Sequence, residues 1–315
     1  MGSFKNLLDS QDYIILHGAL GTELEYQGHD VSGKLWSAKY LLENPHLIQD
    51  IHETYLRAGS DLITTSSYQA TIPGLVDYGV DADKAKELIA LTVDLAKAAR
   101  DKVWSELSDE AKAKRPYPLI SGDVGPYAAY LADGSEYTGQ YGDITKEALK
   151  DFHRPRIQIL VDKGADLLAL ETMPNITEAQ ALIELLAEEF PQVEAYMSFT
   201  SQDGKAISDG TSIKDIAELV NSSDQVLALG LNCSSPSVYQ AFLSELRQYT
   251  DKPFVTYPNS GEVYDGASQT WTQSADHSHS LLENTQDWHK LGAKVVGGCC
   301  RTRPQDIEIL SSHLR

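Results

Sequence analysis

The sequence predicts an α/β fold, a single (β/α)8 barrel of the TIM type, with residues 1–315 as one domain. One observation is a repeated pattern at residues 57–65, 163–170 and 291–297, where a helix end, a glycine and a two-residue turn precede an apolar strand. The glycine can adopt the left-handed conformation that ends a helix. The other observation is that this pattern yields eight strands separated by amphipathic stretches, and eight alternating units are typical of a closed barrel.

Eight short apolar segments, several of them rich in β-branched residues, are predicted as buried parallel strands. In chain order they are residues 13–16, 61–65, 119–124, 166–171, 195–200, 226–232, 254–257 and 294–298. No linker or low-complexity stretch interrupts them, which favours one domain although division by a typical domain length would suggest two.

Amphipathic stretches between the strands are predicted as helices, and some carry clear start signals. Asn44-Pro45 and Ser235-Pro236 each place a capping residue before a proline, and Pro304 begins the last helix. Four segments that follow strand ends are long and rich in Gly, Ser, Asp and Tyr: 66–82, 125–145, 201–212 and 258–280. Such loops are usually functional, and in this fold they surround the active face at the strands' carboxyl ends.

Composition excludes several classes of protein. The chain has 315 residues, 42% of them hydrophobic, and a net charge of −20, which argues against nucleic acid as a partner because phosphate binding needs clustered Lys and Arg. No segment approaches about 18 consecutive apolar residues, and residues 1–10 lack the apolar core of a signal peptide, so we expect no membrane span. Few cysteines, none spaced as a disulfide pair, fit a reducing compartment, and a cytoplasmic location is predicted.

Three cysteines are the whole complement of the chain, and each follows a predicted strand. Cys233 ends the run 226–233, and Cys299 and Cys300 end the run 293–300. Because the carboxyl ends of barrel strands share one face, the three thiols are expected to meet there. Three thiolates plus one open position form the ligand set of a reactive zinc site, whereas a structural zinc would have a fourth protein ligand.

Two other interpretations of these cysteines remain open at this point. Free cysteines are often small buried core residues, and the adjacent Cys299 and Cys300 could be a redox pair, although neighbours in sequence form a strained disulfide. Gly297 and Gly298 favour the metal site. Consecutive strand residues point to opposite faces, so the two thiols converge only if the backbone bends, which glycine permits.

Motifs spread over nearly the whole chain resemble the homocysteine S-methyltransferase family. The most specific are Asn-Cys at residues 232–233 and Gly-Gly-Cys-Cys at residues 297–300. The others lie at residues 18–25, 35–38, 67–71, 124–137, 152–156, 171–172 and 257–262. Leu-Trp-Ser-Ala at 35–38 and Tyr-Pro-Asn-Ser-Gly-Glu at 257–262 are similar to the branch that uses S-methylmethionine or S-adenosylmethionine as methyl donor.

The resemblance implies a barrel with one Zn²⁺ per chain, held by Cys233, Cys299 and Cys300, that methylates L-homocysteine to methionine. The chemistry is consistent with that set of ligands. A thiolate, not a thiol, is the nucleophile, and zinc deprotonates a thiol that coordinates it. A sulfonium donor leaves as a neutral thioether, so no general base is needed and transfer depends on positioning.

Substrate-binding residues are expected around the thiols. Glu171 ends the fourth strand on the active face, and the resemblance implies that it holds the amino group of homocysteine. Asn232 is expected either to hydrogen-bond near the metal or to satisfy the backbone of a turn. Tyr68 is an aromatic loop residue that can attract a sulfonium cation. The other aromatic residues of these loops are Tyr127, Tyr257 and Trp271.

Two positions depart from the family pattern. The chain has Leu-His-Gly at 16–18 where the family usually has Leu-Asp-Gly, and Gly-Asp-Val-Gly at 122–125 where Gly-Ser-Val-Gly is common. That family Asp helps to hold homocysteine, so His17 and Gly18 are expected at the substrate. We hypothesise that Asp123 lies in the same barrel layer as His17, interacts with it, restores the missing negative charge and raises the pKa of His17.

Alternative functions remain open at this stage. The donor could be betaine, the acceptor could be a selenol, or His17 could leave a zinc-binding protein without catalysis. A folate donor would require cobalamin and further modules that 315 residues do not hold. The preferred donor and the oligomeric state are not indicated by the sequence.

Overall fold

Eight parallel strands form a barrel in the computed structural model, which describes residues 3–261, 263–265, 270–272 and 279–315. The strands of the described residues are β1 (Ile14–Ile15), β2 (Leu62–Thr64), β3 (Leu119–Val124), β4 (Leu167–Met173), β5 (Ala195–Phe199), β6 (Val226–Asn232), β7 (Phe254–Tyr257), β8 (Val263–Asp265), β9 (Thr270–Thr272) and β10 (Ala293–Val296). The barrel order is β1-β10-β7-β6-β5-β4-β3-β2, with every pairing parallel. A parallel bridge between Leu16 and Leu62 joins β1 to β2, which confirms the predicted (β/α)8 fold. β8 and β9 form a separate antiparallel hairpin.

The strand bounds agree closely with those predicted. β3, β6 and β7 have the predicted ends, whereas β10 ends at Val296, two residues before the predicted end. Just after this end, the backbone at Gly297 lies against the residue that follows β1: a Cβ on Gly297 would be 2.6 Å from the Cβ of Leu16. Only glycine allows that approach without displacing the neighbouring chain.

Helices lie between the strands. They are α1 (Ser3–Ser10), α2 (Leu20–Tyr26), α3 (Tyr40–Glu43), α4 (Pro45–Ala58), α5 (Ile72–Asp77), α6 (Ala82–Glu106), α7 (Asp109–Ala113), α8 (Tyr127–Leu131), α9 (Lys146–Asp162), α10 (Ile176–Glu189), α11 (Ile213–Asn221), α12 (Pro236–Leu246), α13 (Leu281–His289) and α14 (Pro304–Leu314), with short 3₁₀ helices at Trp36–Lys39 and Ser135–Tyr137. The three predicted starts at Pro45, Pro236 and Pro304 are confirmed. Ser235 caps α12 through its side chain, whereas the side chain of Asn44 makes no capping hydrogen bond.

The repeated glycine pattern has the predicted conformation. Gly59, Gly164 and Gly292 have φ angles of 113°, 76° and 114°, in the left-handed region. Each lies between a helix and the strand that follows it, so each reverses the chain from the outer layer into the barrel.

The core has two layers because side chains alternate along each strand. One set fills the inside of the barrel, including Ile14, Leu16, Leu119, Leu167 and Val295. A larger set lies between the barrel and the surrounding helices, and it includes Ile15 of β1 and most buried helix residues. Near the carboxyl ends of the strands the buried side chains include polar ones, among them Asp123 of β3 and Asn232 of β6.

Helix α1 was not predicted, and it packs against the inner layer of the barrel. Phe4, Leu7 and Leu8 are buried in the same cluster as the inward side chains of the strands. The backbone N–H groups of Phe4 and Lys5 donate to Glu194 Oε2 at 2.9 and 3.2 Å. This carboxylate, just before β5, satisfies the first turn of α1. Among the described residues, no helix combines the length and apolarity needed to cross a membrane.

Candidate metal centre and substrate site

Three thiols converge at the carboxyl ends of β6 and β10. Their sulfur atoms all lie within 4.8 Å of one another. Cys233 Sγ is 2.9 Å from Cys299 Sγ and 3.7 Å from Cys300 Sγ. Cys300 is buried, and the other two cysteines are partly exposed. Two strand ends distant in sequence therefore build one sulfur cluster that can be reached from the active face.

Local backbone geometry produces this convergence. Cys233 has a φ of 49°, a left-handed conformation that is uncommon for a residue other than glycine, and its N–H donates to Tyr257 O at 3.3 Å. Cys299 donates its N–H to Pro258 O at 2.7 Å. Both cysteines are thus tied to the end of β7, which lies between β6 and β10 in the sheet.

The donor set suits a soft metal ion. Zinc–sulfur bonds of about 2.3 Å place sulfur ligands of a tetrahedral site about 3.8 Å apart. The 3.7 Å separation of Cys233 and Cys300 matches that spacing, whereas the 2.9 Å between Cys233 and Cys299 is shorter. The thiols of Cys233 and Cys299 hydrogen-bond to Cys300 and lower its pKa well below the ordinary value. One member of the cluster is therefore stabilised as a thiolate, the form that binds metal. Three thiols favour zinc or another thiophilic ion over magnesium or calcium.

Two carboxyl groups lie inside the barrel beside the thiols. Glu171 of β4 and Asp123 of β3 lie close enough to shift each other's pKa, and Tyr257 donates its hydroxyl to Glu171 Oε2 at 3.0 Å. Burial, together with the negative charge of Cys299, raises the pKa of Glu171 to about 8. Burial and the charge of Glu171 raise the pKa of Asp123 well above its ordinary range. The pair favours shared protonation until a cation stabilises both charges.

A strained turn follows Glu171 and is held by Asn232. Thr172 has a φ of 63°, which is rare for a β-branched residue. Asn232 Oδ1 accepts from the Thr172 N–H at 3.0 Å, and Asn232 Nδ2 donates to Thr172 Oγ1 at 2.7 Å. The Tyr68 hydroxyl lies near the Thr172 side chain, which acts on the pKa of Tyr68. Asn232 therefore satisfies the backbone of the turn, one of the two predicted roles, and connects it to Cys233.

A cleft of about 780 Å³ opens beside Cys300. Four carboxylate residues and one guanidinium line its described part, and three aromatic residues share the wall. The acidic residues are Glu25, Asp30, Asp133 and Glu136, the basic one is Arg301, and the aromatic ones are Tyr26, Trp36 and Tyr137. Acidic and aromatic walls together attract cations.

A family model described as homocysteine S-methyltransferase matches residues 14–314. The chain belongs to the homocysteine S-methyltransferase family. A homocysteine S-methyltransferase of Bacillus subtilis is 44% identical over 315 residues, covering 100% of this chain and 98% of the relative. A selenocysteine methyltransferase of Astragalus bisulcatus is 44% identical over 312 residues, covering 95% and 92%.

The fold of the family is also found in a solved structure. The homocysteine methyltransferase MmuM from Escherichia coli, in its metallated form, superposes with a TM-score of 0.87 at 43% identity, covering 98% of this chain and 99% of that one. The barrel, and not only scattered motifs, is therefore shared with an enzyme of the homocysteine S-methyltransferase family.

The structure brings most of the predicted site residues together but turns His17 away. Side chains alternate along β1, so His17 follows the inward Leu16 and points outward. Its ring lies 5.8 Å from the ring of Tyr55 on α4, and Nδ1 contacts Gly18 O. Burial lowers the pKa of His17, and the partner of Asp123 is Glu171. The hypothesis of a His17–Asp123 pair with a raised histidine pKa was therefore wrong.

Two further positions named from the sequence, Gly18 and Tyr127, pack against neighbouring side chains. Gly18 packs closely, since a Cβ there would lie 2.9 Å from the Tyr55 hydroxyl and 3.0 Å from Thr302 Oγ1. Tyr127 packs edge-on against Phe152 rather than in the cleft. Residue 262 and the side chain at position 271 lie outside the described part of the structure.

Sequence reasoning missed two residues next to the thiols. Burial, together with the negative charges of the three cysteines, raises the pKa of the Tyr137 hydroxyl. Glu136, buried beside it, has its pKa raised by burial and by Asp133. Thr200 Oγ1 donates to Glu136 O at 2.9 Å and holds this 3₁₀ turn over the barrel. Both residues end the motif at 124–137, which was the available signal.

Proposed function

We propose that the chain transfers a methyl group from S-methylmethionine or S-adenosylmethionine to L-homocysteine, giving methionine. The observation that carries the proposal is the convergence of three thiols beside an acidic, aromatic cleft. The sulfur cluster supplies a place for a substrate thiolate, and the cleft supplies a place for a cationic donor. Membership in the homocysteine S-methyltransferase family supports the same acceptor.

Zinc is the proposed metal, and Cys233, Cys299 and Cys300 are its proposed ligands. When bound, it would supply a Lewis acid that keeps the homocysteine thiol deprotonated at neutral pH. The chain's own contribution is to present three sulfur atoms on a rigid strand framework and to leave one side of the cluster facing the cleft.

The acceptor is proposed to be held by Glu171 through its ammonium group. Homocysteine carries its thiol and its ammonium on one short chain, so an anion must lie a few ångströms from the sulfur cluster. The effect of the Cys299 charge on the pKa of Glu171 supports this role, because it indicates that the carboxyl group lies near the sulfur cluster. Tyr257 orients the carboxylate by donating to Oε2, and Ser198 contacts the Tyr257 hydroxyl in turn.

The donor is proposed to lie in the cleft. S-methylmethionine has a sulfonium, an ammonium and a carboxylate, so it carries one net positive charge, which four acidic side chains attract. The faces of Trp36 and Tyr137 can contact the sulfonium, each contact contributing about 0.5–2 kcal/mol. The methyl carbon forms its bond to the acceptor sulfur as its bond to the donor sulfur breaks. The departing thioether is neutral, so positioning alone is required of these residues.

Parallel assays of methionine formation test the proposal. Homocysteine is supplied with S-methylmethionine, S-adenosylmethionine or betaine, and we expect a sulfonium donor to be used and betaine to be poor, because betaine has no net charge. Glu136→Gln should raise the KM for the sulfonium donor and leave that for homocysteine unchanged. Glu110→Gln, at an exposed position on α7, is the matched control. Methionine formation from betaine alone would contradict the proposed donor.

A selenol acceptor is the second candidate, because the selenocysteine methyltransferase relative is as similar to this chain as the Bacillus subtilis relative. A selenol is more acidic than a thiol and would use the same sulfur cluster. The same assay with selenocysteine in place of homocysteine compares the two acceptors directly. Product from neither acceptor with any donor would leave only a metal-binding role.

A further inference from the structure

Asp123 has an oxygen that the fold leaves without a partner. Its side chain is 4% exposed, yet Asp123 Oδ1 has no hydrogen-bond partner among the described residues. A buried carboxyl oxygen without a donor is costly, and native structures seldom retain one unless a ligand or water satisfies it. The orphaned oxygen points to a hydrogen-bond donor that arrives with a ligand.

The surroundings of Asp123 select a cationic ligand. The ionisable groups whose charges act on Asp123 are Glu171, Arg156 and Cys299. The charge of Arg156 acts on Asp123, but no hydrogen bond joins the two side chains. The terminal nitrogens of Arg156 donate to Ser67 O, Tyr68 O and Gly125 O and face His153 Nδ1, and its Nε has no partner among the described residues. Its hydrogen bonds are thus directed to the loops after β2 and β3. Asp123 and Glu171 remain two carboxyl groups in contact, with one oxygen unsatisfied.

Strand register places Asp123 and Glu171 together on the inner face of the barrel, near the carboxyl ends of β3 and β4. Asp123 pairs with Ala169 across β3 and β4, so Glu171 stands two residues further toward the active face on the neighbouring strand. Ala169 is one of the inward residues of the barrel, so both carboxyl side chains point inward as well. A substrate with its sulfur at the cysteines would direct its ammonium into this pair.

We propose that Asp123 is a specificity-determining residue that, with Glu171, binds the ammonium group of the acceptor. This inference rests on the proposed function, since it assigns the acceptor's ammonium subsite. His17 does not share the task, because its ring is turned toward α4. Asp123 thus supplies from β3 the second carboxyl group of the subsite, and an ammonium group there provides the donor that Oδ1 lacks.

Acceptor binding by calorimetry tests the assignment, with homocysteine compared to 4-mercaptobutanoate, which has the same thiol and carboxylate but no ammonium. Asp123→Asn keeps the shape of the side chain and removes its charge, and Asp123→Ser removes both. Each variant should weaken homocysteine by about 10- to 100-fold, as expected for loss of a charge-assisted hydrogen bond. Each should change 4-mercaptobutanoate binding by less than about twofold.

Controls separate this result from other causes. His17→Ala should leave the preference for homocysteine over 4-mercaptobutanoate unchanged, and zinc content should be the same in all variants. Equal weakening of both acceptors, or no weakening of either, would overturn the proposal. The proposal would also be overturned if His17→Ala lost the preference for homocysteine over 4-mercaptobutanoate and the Asp123 variants retained it. Failure of the unmodified protein to form methionine would refute the proposed function instead, because the binding comparison does not require turnover.

Discussion

Thr172 shows how single residues position the candidate site. A β-branched residue at positive φ costs about 1–3 kcal/mol, and the fold retains it between Glu171 and the helix that follows. Asn232 offsets the cost with two hydrogen bonds, at 3.0 and 2.7 Å. The adjacent Cys233 also has a positive φ. Strain at the ends of β4 and β6 therefore accompanies the orientation of one carboxylate and one thiol.

Asn232→Ala should loosen this turn. The variant leaves the Thr172 N–H without its main acceptor inside the protein, so the free energy of unfolding should fall by about 1–3 kcal/mol. Displacement of Glu171 should raise the KM for homocysteine by about tenfold or more. Asn221→Ala, which also removes two side-chain hydrogen bonds but at the exposed end of α11, is the control for both measurements. An unchanged KM would show that the turn does not position Glu171.

Glu171 also makes the metal-free protein sensitive to pH. Its pKa is raised from 4.5 to about 8 in the folded state, so the folded protein holds this proton more tightly than the unfolded chain does. Its contribution to stability is present below about pH 4.5 and is lost as the pH rises through about 8. Denaturant unfolding should show this decline between pH 5 and pH 9. Glu171→Gln should flatten the profile, and an unchanged slope would contradict the assignment.

The residue scale also shows where sequence reasoning succeeds. The convergence of the three cysteines was predictable because a parallel barrel places the carboxyl ends of all its strands on one face. The direction of His17 was mispredicted because strand number was considered without the alternation of side chains along β1. The Asp123–Glu171 contact depends on strand register, which no local pattern in the sequence encodes.

At the scale of elements, α9 and α1 perform separate tasks at the two ends of the barrel. Arg156 of α9 is fully buried and donates to carbonyl oxygens after β2 and β3, so it holds Tyr68 near the thiols. His153 contacts Glu178 of α10 at 2.7 Å. Helix α1 closes the opposite end. It was not predicted because it has eight residues and is capped by Glu194, which is distant in sequence.

Phe4→Ala should separate stability from function. Phe4 is fully buried among the inward side chains of the barrel, and truncation of such a residue costs about 3–5 kcal/mol. The free energy of unfolding should fall by that order, while the KM for homocysteine stays within about twofold. Asn6→Ala, exposed on the same helix, should change neither quantity. A large rise in KM would show that α1 is coupled to the candidate site.

At the scale of the whole molecule, the barrel divides into an apolar end and a polar end. Inward residues such as Ile14, Leu119 and Leu167 fill the first, and Asp123, Glu171 and the three thiols occupy the second. The net charge of −20 favours a cationic donor at the cleft and disfavours phosphate-bearing ligands. This division was predictable in outline because the functional face of a (β/α)8 barrel lies at the carboxyl ends of its strands. The assignment of residues 1–315 to one domain and the cytoplasmic location stay predictions.

The central claim is that the sulfur cluster, loaded with zinc, is where the methyl group is transferred to homocysteine. The most direct test measures bound zinc and methionine formation in the same samples as a chelator removes the metal and added zinc restores it. Activity should fall in proportion to bound zinc and return with it, and Cys233→Ser, Cys299→Ser and Cys300→Ser should each lose most of both. Ser260→Ala, at an exposed position near Cys300, should lose neither. Full turnover in a zinc-free sample would contradict the account.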